Sequence, residues 1–110
     1  MEINVQEQGG ISILRVVGDI DVNTSPEVKE SFDNLVKEKK EKVVVNLKGV
    51  NYVDSSGLAT LVEVFKNMRA YDGKLKLTNL SSKVMGLFEI TKLNNLFDIF
   101  TEEADAINSF

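Results

Sequence analysis

Short apolar runs along the chain alternate with longer stretches whose apolar residues recur at every third or fourth position. Runs with the alternating or β-branched residues typical of strands occupy positions 3–8, 11–17, 43–47 and 75–78. The Gly9-Gly10 pair between the first two runs is typical of a hairpin turn. The run at 43–47 is almost wholly apolar, which predicts a central strand covered on both faces.

Helical periodicity follows these strands. Apolar residues at helical spacing define four faces: Val28, Phe32, Leu35 and Val36; Leu58, Leu61, Val62, Phe65 and Met68; Val84, Leu87 and Phe88; and Ala104 with Ile107. Thr24 with Glu27 predicts a capping box at the start of the first helix. We expect Ser81 and Thr101 to cap the third and fourth helices. Between those two helices, residues 96–100 are expected to form a short strand or an irregular packed segment.

This order of elements predicts an α/β fold. Strands that alternate with helices indicate a parallel sheet, and the opening hairpin adds an antiparallel strand. We therefore expect a mixed, partly parallel sheet of four to five strands with about four helices. The length of 110 residues suits one domain, which we expect to span 1–110.

Composition narrows the function. The chain has no cysteine and no histidine, which excludes disulfides, thiolate chemistry, a Ser–His–Asp triad and histidine-ligated metal sites. Its net charge of -4 argues against a nucleic-acid partner. We find no signal-peptide pattern and no apolar run long enough to cross a membrane. A cytoplasmic protein that needs no metal or cofactor is the expectation.

Two polar loops carry the residues with candidate chemistry. Asp19 and Asp21 follow the second strand, and an Asp-Ser-Ser-Gly turn at 54–57 precedes the second helix. If the strands at 11–17 and 43–47 are parallel, both loops lie at the same edge of the sheet. Loops at the carboxyl ends of parallel strands are where α/β folds usually place function.

The turn at 54–57 allows two interpretations. Aspartate and serine are preferred helix caps, so Ser55 can serve only to begin the helix, and aspartates in loops often bond to nearby backbone N–H groups. A serine at a helix start is also a good phosphoacceptor, because free N–H groups and the helix dipole favour a phosphate there. The exposed face of this helix is expected to begin with the small residues Ala59 and Thr60.

The sequence gives less support to an enzyme or a receiver-like domain than to the two interpretations of the turn at 54–57. The Asp-Ser-Ser-Gly-Leu sequence is not a nucleophile elbow, and neither a phosphate-binding loop nor a dinucleotide-binding glycine pattern is present. A receiver-like phosphoacceptor domain would use Asp19, Asp21 and Asp54 to hold Mg²⁺. The opening hairpin and the lack of a lysine at a strand end argue against that reading.

The chain resembles the STAS family, and within it the single-domain anti-sigma-factor antagonists of bacteria. The matching stretches are GDIDVNTS, VVVNLKGVNYVDSSGLATL and LKLTNLSSKVMGLFEITKLNNLFDIFTEEADAI. The resemblance implies a protein that binds an anti-sigma factor, often itself a serine kinase, and so frees a sigma factor. Phosphorylation of the serine after the aspartate, here Ser55, ends this binding, and a phosphatase restores it. Ser56 is a possible alternative acceptor.

The resemblance also implies a docking surface for that partner. Its expected residues surround the phosphoacceptor: Asp19, Asp21, Asn23, Asp54, Ser55, Ser56, Gly57, Ala59 and Thr60. Two positions depart from the family pattern, since Ala59 and Lys92 stand where glycine is common, and Lys92 suggests a local backbone change. A constitutive STAS subunit of a stress-signalling or lipid-transport assembly is the alternative. We expect a monomer.

Overall fold

The computed structural model describes residues 1–110. The strands and helices follow one another as β1 (Glu2–Gln8), β2 (Ile11–Val17), α1 (Ser25–Lys37), β3 (Lys42–Gly49), α2 (Ser55–Arg69), β4 (Lys74–Thr78), α3 (Ser82–Ile90), a 3-10 turn (Leu93–Asn95), β5 (Asp98–Phe100) and α4 (Glu103–Asn108). The order confirms the predicted α/β fold with four α-helices. No helix is both long and apolar enough to cross a bilayer.

The five strands form one mixed sheet in the order β1-β2-β3-β4-β5. β1 pairs with β2 in antiparallel fashion through the predicted glycine hairpin, and the other neighbours are parallel. Gly9 and Gly10 have φ values of 56° and 82°, which glycine adopts without the steric cost that a side chain brings. The parallel pairing of β2 with β3 places the loops that follow them at one edge of the sheet.

Successive side chains of the central strand point to opposite faces of the sheet. Val43, Val45 and Leu47 pack with the residues of α1, α2 and α3 in the main core, whereas Val44 faces α4 in a smaller cluster. All four side chains are fully buried, as the apolar run at 43–47 predicted. Burial on both faces makes β3 the strand on which both layers of helices rest.

Two of the predicted side-chain caps do not form, although α1 begins at Ser25 with Thr24 at the cap position, as expected. Thr24 Oγ1 does not cap α1 but accepts from the Asp21 N–H at 2.9 Å and donates to the Asp19 carbonyl at 2.7 Å, so the capping box does not form. The residue before α4 is Glu102 rather than Thr101, and no side chain caps that helix. The Ser81 cap is confirmed, since its hydroxyl accepts from the Val84 N–H at 3.1 Å.

Two further details differ from the sequence expectations. Ala104 is exposed, because Ala106 and Ile107 form the face of α4 that packs on the sheet. Lys92 has a φ of 62° and so holds the left-handed conformation that glycine favours. The backbone at Lys92 therefore shows the geometry of a glycine position rather than the expected local change.

Polar contacts attach α4 to the sheet. Glu103 accepts from Arg15 Nη2 at 2.7 Å and Nε at 3.1 Å, and from Asn46 Nδ2 at 2.8 Å. The hydrogen bond from Arg15, together with the bond from Asn46, holds the pKa of Glu103 below its usual value. The first residue of α4 is thereby fixed to β2 and β3 on the face of the sheet opposite the main core.

We predict that this contact makes stability depend on pH. Because the pKa of Glu103 is lower in the folded chain, its contribution is complete above the unfolded glutamate pKa of about 4.3 and is lost as the pH falls through the folded value. Glu103→Gln should cost about 1 kcal/mol at pH 7 and progressively less in acid. Urea unfolding between pH 7 and pH 3 measures this, and a difference that does not change with pH would contradict it.

Candidate functional site

The loops after β2 and β3 are joined by a short extension of the parallel pairing. The Ile20 N–H donates to the Tyr52 carbonyl at 2.9 Å, and the Asp54 N–H donates to the Ile20 carbonyl at 3.0 Å. Ile20 and Val53, which form this isolated parallel bridge, are both buried. The acidic loop at 19–21 and the serine turn therefore lie side by side, as the sequence predicted from the strand order.

Asp54 has two structural roles. One carboxylate oxygen caps α2 by accepting from the Gly57 N–H at 3.0 Å, and the other accepts from the Val22 N–H at 3.1 Å. A single side chain thus fixes the start of α2 and ties it to the neighbouring loop. The cap of α2 is Asp54 and not Ser55, so the interpretation that Ser55 serves only to cap the helix is wrong.

Ser55 is the first residue of α2 and is exposed. Its hydroxyl makes no hydrogen bond to the rest of the chain, because Asp54 already satisfies the capping role. The first turn of α2 contains no acidic residue, and the positive end of the helix dipole lies at Ser55. This arrangement leaves a free hydroxyl at the positive end of the helix dipole, next to the Asp54 carboxylate that caps the helix.

The aspartates of the acidic loop differ in their surroundings. The Asp21 carboxylate accepts from the backbone N–H groups of Asn23 at 2.9 Å and Thr24 at 3.1 Å, which shapes the turn before α1. Asp19 is exposed and its carboxylate makes no hydrogen bond within the chain. Asn23 is exposed in the same loop. Asp21 therefore orders the loop, whereas Asp19 and Asn23 present free polar groups beside the serine turn.

Gly57 permits the close approach of α2 to the acidic loop. A Cβ at this position would lie 2.8 Å from the Ile20 carbonyl oxygen and 2.8 Å from Val53 Cγ1. The residue lies within α2, and the absence of a side chain at this position allows the contact. Gly57 is buried, so it supports the surface around Ser55 rather than forming part of it.

The prediction that Thr60 lies on the exposed face of α2 is wrong. It is only 8% exposed and its hydroxyl donates to the Ser56 carbonyl at 3.0 Å. The turn of the helix places position 60 with Gly57, Leu61 and Val64 on the side facing the core. Ala59 is exposed, as expected, so of these two residues only Ala59 is accessible beside Ser55.

Sequence reasoning missed three exposed apolar side chains, two of which line the same groove as Ser55 while the third follows Asp21 in the neighbouring loop. Val22 is 66% exposed in the acidic loop, Tyr52 is 44% exposed before the serine turn, and Ile90 is 82% exposed at the end of α3. The sequence signal was the presence of Val22 and Tyr52 in otherwise polar loops. Exposed apolar groups of this size, close to an exposed serine turn, are typical of a protein-docking surface.

The magnesium interpretation is not favoured. Asp21 and Asp54 accept backbone N–H groups, and the chain has no group of three or more aspartate, glutamate, histidine or cysteine residues arranged to hold a metal ion. Divalent cations need several oxygen ligands that converge on one point. The acidic residues of this edge instead organise the two loops.

Comparison with known proteins agrees with this geometry. The family model for the STAS domain matches residues 2–106. The chain belongs to the STAS family. It is 37% identical over 102 residues to the anti-sigma-B factor antagonist of Bacillus subtilis (strain 168), covering 90% of this chain and 92% of the relative.

Solved structures share the fold at low sequence identity. An anti-sigma factor antagonist from Mycobacterium paratuberculosis superimposes with a TM-score of 0.90 at 21% identity, covering 98% of this chain and 92% of the other. The anti-sigma factor antagonist SpoIIAA in its unphosphorylated form gives a TM-score of 0.76 at 15% identity, covering 98% and 96% of the two chains. These likenesses confirm the STAS-type mixed sheet with its helices.

We predict opposite effects for the same substitution at two glycines. Gly57→Ala should lower the free energy of unfolding by about 1–2 kcal/mol, because the new methyl group meets the Ile20 carbonyl oxygen and the buried side chains of Ile20 and Val53. Gly86→Ala, in α3, should raise it by about 0.5–1 kcal/mol, because a Cβ there meets nothing within 4 Å and alanine favours helix. Urea unfolding measures both, and equal effects would refute the close-approach argument.

Proposed function

We propose that this STAS protein is an anti-sigma-factor antagonist whose binding is switched off by phosphorylation of Ser55. The observation that carries the proposal is the free, exposed hydroxyl of Ser55 at the start of α2, held in place by the Asp54 cap. The relatives at 37% identity are named anti-sigma-B factor antagonists, and they cover nearly the whole chain. The protein then acts by binding and not by catalysis, in the cytoplasm and as a monomer.

The partner is an anti-sigma factor that binds the surface around Ser55 while the serine is unmodified. Asp19, Asn23, Val22 and Ala59 lie around that serine and form the accessible surface. Exposed apolar groups provide contact area, and the acidic groups select a complementary charge on the partner. We propose that this partner is also the serine kinase, and that a separate phosphatase removes the phosphate. The nucleotide and its metal belong to the kinase.

Electrostatics explains how one phosphate ends the binding. A phosphoserine adds about -1.5 to -2 charge at pH 7. Asp54 and the acidic loop already concentrate negative charge beside Ser55, on a chain whose net charge is -4. A partner that binds the unmodified surface would then face the added charge and volume of the phosphate within its binding interface. The phosphate itself is stabilised by the positive end of α2, so the fold tolerates both states.

We predict that affinity capture from native cell lysate separates the two states of the switch. Wild type and Ser55→Ala should retain an ATP-binding anti-sigma factor, whereas Ser55→Asp should bind it at least tenfold more weakly, because the carboxylate mimics part of the phosphate charge. Mass spectrometry identifies the bound protein, and titration of that protein measures the affinities.

Ser56→Asp is the matched control, since it places the same charge one residue further along α2 on a half-buried side chain. Retained binding by this variant assigns the switch to Ser55, and loss only in this variant assigns it to Ser56. If all Ser55 variants retain the same protein equally, the serine is not a switch, and the constitutive-subunit interpretation takes its place.

A further inference from the structure

A groove lies between the loop before α2 and the outer face of α3. Its volume is about 690 Å³, within the range of small-molecule sites in proteins. The groove lies beside the serine turn, and Ser55 is part of its wall. Its principal lining residues are Tyr52, Ser55, Leu58, Lys83, Leu87 and Ile90.

Most of the groove lining is apolar. Leu58 and Leu87 line it with Val84, while Tyr52 and Ile90 leave apolar surface exposed to water. Water in contact with such a surface is displaced favourably by an apolar ligand, at about 25 cal/mol for each Å² covered. The lining therefore favours a ligand whose larger part is hydrocarbon.

Gly86 keeps the groove open. It lies in the middle of α3, where glycine costs about 1 kcal/mol relative to alanine. A Cβ at this position would meet nothing within 4 Å, so close packing does not require the glycine. Its φ is not positive, so backbone conformation does not require it either. Because residue 86 is glycine, the groove beside it is open, and a larger side chain at this position would fill part of it.

Lys83 provides one cation in the lining. Its Nζ lies 5.5 Å from the centre of the Tyr52 ring and takes part in none of the ion pairs of the chain. Asp54, the acidic residue of the lining, already accepts from the N–H groups of Gly57 and Val22. Lys83 is therefore the one charged side chain of the lining that has no hydrogen bond or ion pair within the chain, and it is free to pair with an anionic head group.

We propose that this groove binds a small amphiphile with a hydrocarbon tail and a single anionic head, such as a medium-chain carboxylate. The tail lies along Leu58, Leu87 and Ile90, and the head pairs with Lys83. A membrane surface fits less well, because bilayer binding uses clusters of basic residues and the groove has one lysine. The proposal goes beyond the switch at Ser55, although an occupied groove narrows the approach to that hydroxyl.

The test is a titration of the full chain with sodium decanoate below its micelle concentration, followed by two-dimensional ¹H–¹⁵N NMR. We expect saturable shifts of the Tyr52, Ser55 and Gly86 amides. Gly86→Leu should weaken binding at least tenfold because the side chain fills the groove, and Gly86→Ala should remain within about threefold of wild type. Lys83→Gln should weaken binding at least threefold, whereas the matched variant Lys66→Gln, on an exposed position outside the groove, should not.

Decyltrimethylammonium tests the charge of the head on the same tail, and vesicles of phosphatidylglycerol test the membrane. Weak or absent binding of the cationic amphiphile and of the vesicles supports the proposal. The absence of saturable groove shifts with decanoate, equal binding of the cationic amphiphile, or binding to vesicles alone would overturn it. If Gly86→Leu does not fold, the comparison of Lys83→Gln with Lys66→Gln decides the outcome. No anti-sigma factor is needed, so failure here is independent of the switch.

Discussion

The candidate site depends on the short backbone pairing between Ile20 and the segment before α2. This pairing resumes the parallel pairing of β2 and β3, in a shifted register, beyond the end of both strands and brings two loops into contact. The side chain of Asp54 closes the same junction by accepting hydrogen bonds from the start of α2 and from the loop after β2. Without a Cβ at Gly57, α2 can begin directly against Ile20. Because Asp54 caps α2, the hydroxyl of the exposed Ser55 is left without a hydrogen bond within the chain.

The two faces of the sheet are covered by different helices, and only one of them carries the candidate site at its edge. One face carries α1, α2 and α3 over the main core, and its edge presents the serine turn and the acidic loop. The other face is covered by the six-residue α4, which a few apolar side chains and the Arg15–Glu103 contact hold in place. Because Arg15 and Glu103 lie on the face opposite the main core, changes in their charge act on stability more than on Ser55.

Two chemically different regions lie on either side of Ser55 on the accessible surface. Val22 and Asp19 lie on the side of the acidic loop, and the apolar groove with Lys83 lies on the side of α3. A phosphate at Ser55 would add charge between these two regions, close to both. One modification can therefore alter contacts of a protein partner and of a ligand without any change of fold.

The amino-acid sequence by itself determined the order of elements, the buried central strand and the position of the serine turn, because periodicity and local turn chemistry are encoded by neighbouring residues. It did not determine that Thr60 is buried, that Asp54 and not Ser55 caps α2, or that Gly57 serves a close contact. Nor did it place Val22 beside Asp54 across 32 residues of chain. These features arise only when loops distant in sequence are brought together by strand pairing, so tertiary structure alone decided them.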